Sequence, residues 1–285
     1  MRNNPIKLLC PAKVNLTLEV LGRYPNGYHQ IASVMQTISL ADTLTMKKAS
    51  DFTLECDQPS LSGATNLVLQ AANMFKAATG CPDGARLRLA KGIPEAAGLG
   101  GGSSDAAATL RGLNRLAGVG IPRVKLAEMA AALGSDVPFF VYGGAGLAEG
   151  RGEIITPLPL PAGVWLVLLH PPILLTDKTR KLYEALTPEH YSRGERSQTL
   201  AQALKAGEPV KDDLLYNVFE EVAFNVFPGL EGYRQRLLQA GAAGVHLAGS
   251  GPTLFAVFTS WVDAEGVMKK LGELEVYLAS TIDMS

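Results

Sequence analysis

The sequence predicts an α+β fold made of two domains. Alternating polar and apolar residues at 13–20 and 42–47 are typical of half-buried strands. A glycine-rich loop at 98–105 stands between another alternating segment and an alanine-rich helical run. The second half of the chain mixes helical patterns with short apolar strands, and 285 residues are enough for two domains of ordinary size.

The order of the elements follows from periodicity and from the positions of glycine and proline. In the first half we expect a Pro-Asn-Gly turn at 25–27, a helix at 65–79, a strand at 86–90, a helix after the glycine-rich loop, a helix at 124–133 and a hairpin punctuated by glycines at 143–144 and 150–152. In the second half we expect a strand at 164–169, a helix at 178–186, polar sequence to 212, helices at 213–226 and 229–240, strands at 244–248 and 253–258, a helix at 262–273 and a strand at 275–281.

We expect the domain boundary in a proline-rich stretch. Residues 157–161 read Pro-Leu-Pro-Leu-Pro, and alternating prolines resist both a helix and a central strand. This stretch is therefore interpreted as the linker, which divides the chain into domains at 1–158 and 159–285.

The composition argues against several classes of partner. The 26 basic and 27 acidic residues nearly cancel, so no global field favours nucleic acid or an anionic membrane. The apolar run at 164–169 is far too short to span a bilayer. Because no cleavable signal pattern is evident and the three cysteines are widely spaced, we expect a cytoplasmic protein. The four histidines are scattered without metal-ligand spacing, so we expect no protein-built metal site.

The glycine-rich loop is the most informative segment of the chain. A strand, a loop with four glycines in five residues and the start of a helix together present backbone N–H groups to an anion. Phosphate is the anion we expect. The alternative is a tight turn without a ligand, which would order four glycines at a high entropic cost.

Known phosphate loops of other kinds do not match this segment. No lysine follows a glycine, as the Walker pattern requires. Ser103 stands where a dinucleotide-binding loop needs its third glycine, and the next acidic residue after Asp105 is Glu128, too distant for a ribose contact. Neither His-Arg-Asp nor Asp-Phe-Gly of the protein kinases occurs.

Other candidate residues have a structural interpretation beside a functional one. Lys13 can be a solvated strand lysine, and Asp136 can cap a helix that begins at the next residue. Tyr28 and His29 follow a turn, where they can either bind a heteroaromatic base or cover the core. Residues 249–253, Gly-Ser-Gly-Pro-Thr, can approach a phosphate or simply connect two strands.

Three blocks of sequence resemble the three motifs of the GHMP small-molecule kinases. These blocks are Pro11-Ala12-Lys13-Val14-Asn15-Leu16, Pro94 with Gly98-Leu99-Gly100-Gly101-Gly102-Ser103-Ser104, and Gly249-Ser250-Gly251-Pro252-Thr253. Three further segments, 26–29, 134–139 and 148–153, are similar to members that act on a cytidine diphosphate compound. The resemblance covers essentially the whole chain.

The resemblance implies a fold and a reaction. The fold is an N-terminal domain like ribosomal protein S5 domain 2, which binds ATP and carries catalysis, and a C-terminal α+β domain that contributes to the substrate site. The reaction is transfer of the γ-phosphate of ATP to the 2-hydroxyl of a methylerythritol group. Asp136 is then the general base, Lys13 orients it and the hydroxyl, and Asn15 supports the acceptor. Ser103 or Ser104 reaches Mg²⁺ or a phosphate oxygen.

The remaining site residues are also implied by the resemblance. The residues implied for ATP are Pro94, Glu95, Ala96, Ala97, Gly98, Leu99, Gly100, Gly101, Gly102, Ser103 and Ser104, with Asn66 and Lys91 near the adenine. The residues implied for the substrate are Asn15, Tyr28, His29, Tyr183, Gly249, Ser250 and Gly251.

Two aromatic residues and a histidine are implied for the cytosine. His29 would hydrogen-bond the base, Tyr28 would stack on it, and Tyr183 would supply the opposing ring. Tyr183 holds this place if Thr179 is the matching threonine; with Thr176 in that place the ring is absent.

The partners expected are a cytidine diphosphate substrate and ATP, for a monomer or weak homodimer. Three other functions stay open from the sequence. They are a GHMP kinase acting on homoserine, mevalonate or a sugar, a nucleotide sensor without turnover, and a dinucleotide oxidoreductase.

Overall fold

The computed structural model describes residues 4–81, 83–161 and 163–284; the predicted domain ends at 1–3 and 285 lie outside them. Its strands are β1 (Ile6–Asn15), β2 (Thr17–Arg23), β3 (His29–Ala49), β4 (Thr53–Cys56), β5 (Gly84–Ala90), β6 (Ala145–Glu149), β7 (Ile154–Leu158), β8 (Trp165–Leu169), β9 (Tyr216–Asn217), β10 (His246–Leu247), β11 (Leu254–Phe258) and β12 (Val276–Ser280). Its helices are α1 (Leu67–Thr79), α2 (Gly101–Ala117), α3 (Arg123–Ala130), α4 (Val137–Tyr142), α5 (Lys178–Ala185), α6 (Glu195–Lys205), α7 (Glu220–Val226), α8 (Leu230–Ala240) and α9 (Trp261–Lys270). Within these ranges no helix has the length and apolarity to cross a bilayer.

The described residues form two compact units that alternate along the chain. The first unit contains residues up to Ala12, Ala41–Pro94 and Gly100–Tyr142. The second unit contains Lys13–Leu40, Glu95–Leu99 and the residues from Gly143 onward. Both β1 and β3 therefore supply residues to each unit, and the single boundary expected after residue 158 stays a prediction.

In the first unit, strands pair beneath a layer of helices. The second half of β3 pairs antiparallel with β5, from Thr43 opposite Ala90 to Ala49 opposite Gly84, and β4 pairs parallel with β5. Helix α1 begins where the Asn66 side chain accepts a hydrogen bond from the amide of Val68, as an N-cap should. It packs against α2, which also contacts α4.

The second unit contains antiparallel pairings in two groups of strands. The first part of β3 pairs with β2 and β6, and β6 pairs with β7. The other group has the order β10-β11-β8-β12. Strand β8 lies between two partners, and its last four residues, Leu166–Leu169, are fully buried, as the apolar run predicts.

The predicted linker at 157–161 is partly a strand. Pro157 and Leu158 belong to β7, where Pro157 lies opposite Gly146. Strand β7 pairs only with β6 among the described strands. Proline is tolerated there because an edge strand does not need every N–H for pairing.

Two segments of the second half differ from their predictions. The helix expected at 213–226 is confined to α7, and the short strand β9 precedes it and pairs parallel with β2. The polar sequence before 212 contains α6, whose buried face includes Leu200 and Leu204. That helix was missed because its N-terminal support comes from a residue distant in sequence.

That residue is Glu19 on β2. Its carboxylate accepts hydrogen bonds from the amide of Ser197 at 2.7 Å and the hydroxyl of Ser192 at 2.8 Å. No side chain caps α6 locally at Gly194. A buried carboxylate at a helix N-terminus satisfies free N–H groups and complements the helix dipole.

Replacing Glu19 by alanine should lower the free energy of unfolding by about 1–3 kcal/mol, because buried donors lose their acceptor. Glu19→Gln should retain more stability, since its carbonyl oxygen can still accept. Chemical denaturation measures both, with exposed Glu208→Ala as the control. Equal stability of Glu19→Ala and the control would contradict the capping role.

Candidate active site

A buried chain of hydrogen bonds orients Lys13 and Asn15 in the second unit. The two side chains share a face of β1, because alternate strand residues point to the same side. Lys13 Nζ donates to Asn15 Oδ1 at 2.6 Å, and Asn15 Nδ2 donates to Ser33 Oγ at 2.7 Å. Ser33 Oγ donates in turn to the carbonyl of Thr17 at 2.6 Å. These side chains are buried, so their partners fix the position of the Lys13 ammonium.

The loop at 249–251 lies close to the hydrogen-bonded side chains of Lys13 and Asn15. Asn217 Nδ2 holds the loop by donating to the carbonyls of Leu247 and Gly249, each at 2.8 Å. A Cβ at Gly249 would lie 2.8 Å from both Lys13 Nζ and the carbonyl oxygen of Gly98. The glycine is therefore required for close approach, which the sequence alone could not separate from a simple turn.

The glycine-rich segment, residues 94–104, is divided between the two units: Glu95–Leu99 belong to the second unit and its other residues to the first. In the second unit, Lys13 N donates to the carbonyl of Leu99 at 2.9 Å, and a Cβ at Gly98 would overlap the carbonyl of Ala248. Ala97 is buried, whereas Glu95 and Ala96 are exposed. Ala96 has a φ of 51°. This conformation costs free energy in any residue that carries a side chain, and it often marks a functional loop.

In the first unit, α2 starts with free N–H groups. Gly100 precedes it with a φ of 73°, and no side chain caps the helix there. The first amides, from Gly101 to Ser103, therefore have no intrahelical acceptor. Ser104 Oγ is buried and has no hydrogen-bond partner among the described residues. Free amides, a positive helix end and an unpaired hydroxyl fit a bound phosphate group.

A charged cluster lies close to the start of α2 in the first unit. Lys91 Nζ forms an ion pair with Asp42 and lies 2.9 Å from Asp105 Oδ2. The three side chains are at most 6% exposed. Asp42 Oδ1 also accepts the amides of Gly92 and Ile93 at 2.7 and 2.8 Å. The Lys91 ammonium is thus held by two carboxylates.

The pKa values in this cluster depend on burial and on the neighbouring charges. Burial raises the pKa of Asp105 to about 7, opposed by the charge of Lys91 and reinforced by that of Asp42. Burial works to lower the pKa of Lys91, but the two carboxylates raise it above its ordinary value. Burial also holds the pKa of the Cys10 thiol well above its usual range.

Asp136 and Asn66 lie at helix ends of the first unit. Asp136 is half-buried and lies immediately before α4, where its role as a base stays a prediction. Asn66 uses both polar atoms of its side chain: Oδ1 caps α1 by accepting from the amide of Val68, and Nδ2 donates to the carbonyl of Leu61 at 2.7 Å. The roles of Asn66 and Lys91 near an adenine stay predictions.

Aromatic rings gather around His29 in the second unit. The His29 and Tyr183 rings stack with centroids 4.4 Å apart and an interplanar angle of 11°. Tyr191 meets His29 edge-on at 6.3 Å. Burial, followed by the charge of Arg23, lowers the pKa of His29, which favours the neutral ring.

Tyr28 is 55% exposed, and the Arg151 guanidinium lies 5.1 Å from the centroid of its ring. The structure brings Tyr183 to His29, and the role of Tyr183 at a cytosine stays a prediction. Thr179 itself donates to Ser250 Oγ at 2.9 Å.

Sequence reasoning missed Lys178, which lies beside the same loop. Its ammonium donates to the carbonyl of Gly251 and lies 3.3 Å from Ser250 Oγ. Burial, followed by the charge of Lys13, lowers the pKa of Lys178 to about 7. Its place at the start of a predicted helix gave no signal. Asn217, Asp42 and Asp105 were missed as well, because their partners are distant in sequence.

Matches to two family models define the class of this protein. Residues 66–144 match the GHMP kinases N terminal domain, and residues 200–274 match GHMP kinases C terminal. The chain therefore belongs to the GHMP kinase family, and the α+β fold expected from the resemblance is confirmed.

Particular relatives carry one name. The chain is 43% identical over 280 residues to a 4-diphosphocytidyl-2-C-methyl-D-erythritol kinase of Dehalococcoides mccartyi, covering 97% of this chain and 98% of the relative. It is 41% identical to the enzyme of that name from Brevibacillus brevis, covering 88% and 87%.

Solved structures show the same likeness. A crystal structure of 4-(cytidine 5'-diphospho)-2C-methyl-D-erythritol kinase is 35% identical with a TM-score of 0.81, over 96% of this chain and 98% of that chain. A homoserine kinase from Cytophaga hutchinsonii, 19% identical with a TM-score of 0.75 over 99% and 96%, shares the fold.

The charge of Asp105 should make folding stability depend on pH. Its pKa is 3.8 in an unfolded chain and about 7 here, so the native state binds the proton more tightly. This contribution is complete below pH 4 and is lost as the pH rises through 7. Asp105→Asn should therefore gain melting temperature relative to the parent protein between pH 5 and pH 8.

Exposed Asp51→Asn is the control, and its difference from the parent should stay constant over this range. Parallel melting curves for Asp105→Asn and the parent at every pH would contradict the raised pKa. Differential scanning calorimetry or fluorimetry provides the measurement.

Proposed function

We propose that this protein is an ATP-dependent kinase that phosphorylates the 2-hydroxyl of 4-diphosphocytidyl-2-C-methyl-D-erythritol, a step of the non-mevalonate isoprenoid pathway. The observation that carries the proposal is the near full-length similarity to relatives of that name. The aromatic group around His29 supports it, because stacking rings and a polar edge suit a pyrimidine base.

The cytidine end of the substrate is assigned to three side chains. His29, with its neutral ring, offers one nitrogen as donor and one as acceptor to the edge of the cytosine. Tyr28 and Tyr183 supply the ring faces. Base stacking on an aromatic side chain contributes about 1–3 kcal/mol per base.

The ATP phosphates are assigned to the glycine-rich segment, residues 94–104. Free amides at the start of α2 bind the β- and γ-phosphates, and Ser104 Oγ has an unused hydrogen-bonding capacity. Ser103 or Ser104 would reach Mg²⁺ or a phosphate oxygen, and Mg²⁺ when bound would neutralise phosphate charge. Among the described residues, no cluster of three acidic, cysteine or histidine side chains is present to form a cation cage.

Phosphoryl transfer then needs an oriented acceptor. Asp136 accepts the proton of the 2-hydroxyl, whose oxygen forms a bond to the γ-phosphorus while the bond from the γ-phosphorus to the bridging oxygen of ADP breaks. Lys13, fixed by Asn15 and Ser33, donates to the reacting oxygens. Positioning, more than basicity, supplies the rate. A cytoplasmic location and a monomer or weak homodimer stay predictions.

A substrate panel tests the function. We expect ATP consumption with the cytidine diphosphate substrate and none above background with homoserine, mevalonate or galactose. Asp136→Asn should lower kcat by about 10²- to 10⁴-fold while ATP binding is retained, because only the proton acceptor is lost.

Asp213→Asn, an exposed carboxylate, is the control and should keep full kcat. Preferred turnover of another acceptor would overturn the substrate assignment. ATP binding without turnover of any compound would favour a nucleotide sensor.

The stacking ring has its own test. Tyr183→Ala should raise KM for the cytidine substrate about tenfold and leave KM for ATP within twofold, because one stacking face is lost. Tyr183→Phe keeps the face and should behave like the parent enzyme. An equal rise in both KM values would place Tyr183 outside the cytidine site.

A further inference from the structure

The Lys178 ammonium is a cation that the proposed mechanism does not use. Among the described residues its hydrogen bonds go to oxygens without formal charge: the carbonyls of Ser250 and Gly251 and the Ser250 hydroxyl. A partly buried lysine without a carboxylate partner is costly, and a second ammonium nearby adds to the cost. Such an arrangement is stabilised when an anion binds.

The charges around Lys178 come from three elements of the second unit. Lys13 on β1 lowers the pKa of Lys178, and the loop at 249–251 touches both ammonium groups. His170 follows β8 and donates or accepts a hydrogen bond with Thr253 Oγ1 at 2.9 Å. Burial, the largest cause, lowers the pKa of His170, so its ring is neutral near pH 7. Two carboxylates lie in the surroundings: Glu275, whose charge raises the pKa of His170, and Asp177, which forms an ion pair with Arg180 at 3.0 Å. Among the described residues, the hydrogen bonds of Lys178 go to neither of them.

Helix α5 places Lys178 between two parts of the proposed substrate site. Tyr183, at the stack with His29, is five residues from Lys178, a rise of about 7.5 Å along the helix. Thr179, between them, reaches Ser250 Oγ. On the other side of Lys178, the loop at 249–251 leads to Lys13. The order is thus aromatic rings, then Lys178 and Thr179, then Lys13.

The proposed substrate, 4-diphosphocytidyl-2-C-methyl-D-erythritol, has its chemical groups in the same order. Cytidine is followed by a diphosphate, and the diphosphate is followed by the methylerythritol that carries the reacting hydroxyl. We propose that Lys178 is a substrate-binding residue whose ammonium contacts the diphosphate bridge of the substrate. This inference rests on the proposed function.

A diphosphate contact explains the unusual charge state of Lys178. Its pKa of about 7 leaves the free enzyme only partly charged at pH 7, which limits repulsion of Lys13. A bound diphosphate raises that pKa, so the ammonium takes up a proton on binding. The Lys178 ammonium then faces the diphosphate oxygens, while Lys13 stays at the reacting end of the substrate.

Two ligands separate the diphosphate contact from the base contact. Isothermal titration calorimetry of cytidine and of CDP gives the gain in affinity that the diphosphate contributes. Lys178→Met should reduce that gain about tenfold, the size of one charge-assisted hydrogen bond, and leave cytidine affinity within twofold. Lys205→Met, an exposed lysine at the end of α6, should change neither.

A second variant tests the role of charge and guards against a folding defect. Lys178→Arg keeps a cation that stays protonated, so the gain from CDP should persist. Titrations at pH 8 in buffers of different ionisation enthalpy should show proton uptake by the parent protein on binding CDP. The arginine variant should show none.

The outcomes of these titrations separate a failure of the Lys178 contact from a failure of the proposed kinase function. An unchanged gain in Lys178→Met overturns the inference alone. An equal loss of cytidine and CDP affinity also overturns it, because Lys178 would then only hold the loop at 249–251. If the parent protein binds neither ligand and does not phosphorylate the cytidine substrate, the proposed function fails and the inference fails with it.

Discussion

The second unit depends on a buried network of side chains centred on Asn15 and Thr17. Asn15 accepts a hydrogen bond from Lys13 and donates one to Ser33. Thr17 Oγ1 donates to Ser197 Oγ at 2.9 Å. The network thereby joins the end of β1 to β2, β3 and α6. In a region shielded from water, each polar group must be satisfied by its neighbour, so loss of one member disturbs the others. The same hydrogen bonds fix the position of the Lys13 ammonium.

The first unit meets a related constraint with ionised groups. Two carboxylates share the Lys91 ammonium, and one of them, Asp42, also accepts backbone amides next to the glycine-rich segment. One ammonium balances the charge of only one carboxylate, which agrees with the raised pKa of Asp105. The cluster ties the end of β5 to β3 and to the beginning of α2.

Local signals in the sequence were enough for most elements and for the glycine-rich segment. Periodicity and glycine positions report on the backbone nearby, so β8, α2 and the 249–253 connection could be predicted. Helix α6 could not, since Glu19, which supports it, is far away in sequence. Roles for Lys13 and Asp136 required the family resemblance, because a strand lysine and a helix-cap aspartate look ordinary. The role of Lys178 could not be predicted from its own segment, because its contacts are with Ser250 and Gly251, which are distant in sequence.

The His29 and Tyr183 stack has a consequence for how a ligand enters. With centroids 4.4 Å apart, the two rings leave no room for a third aromatic group between them. A pyrimidine that uses the face of Tyr183 turned toward His29 must first separate the pair, which opposes binding by about 0.5–1.5 kcal/mol. In the free protein the stack therefore acts as an internal competitor. It covers the ring faces that the proposed cytosine site would use.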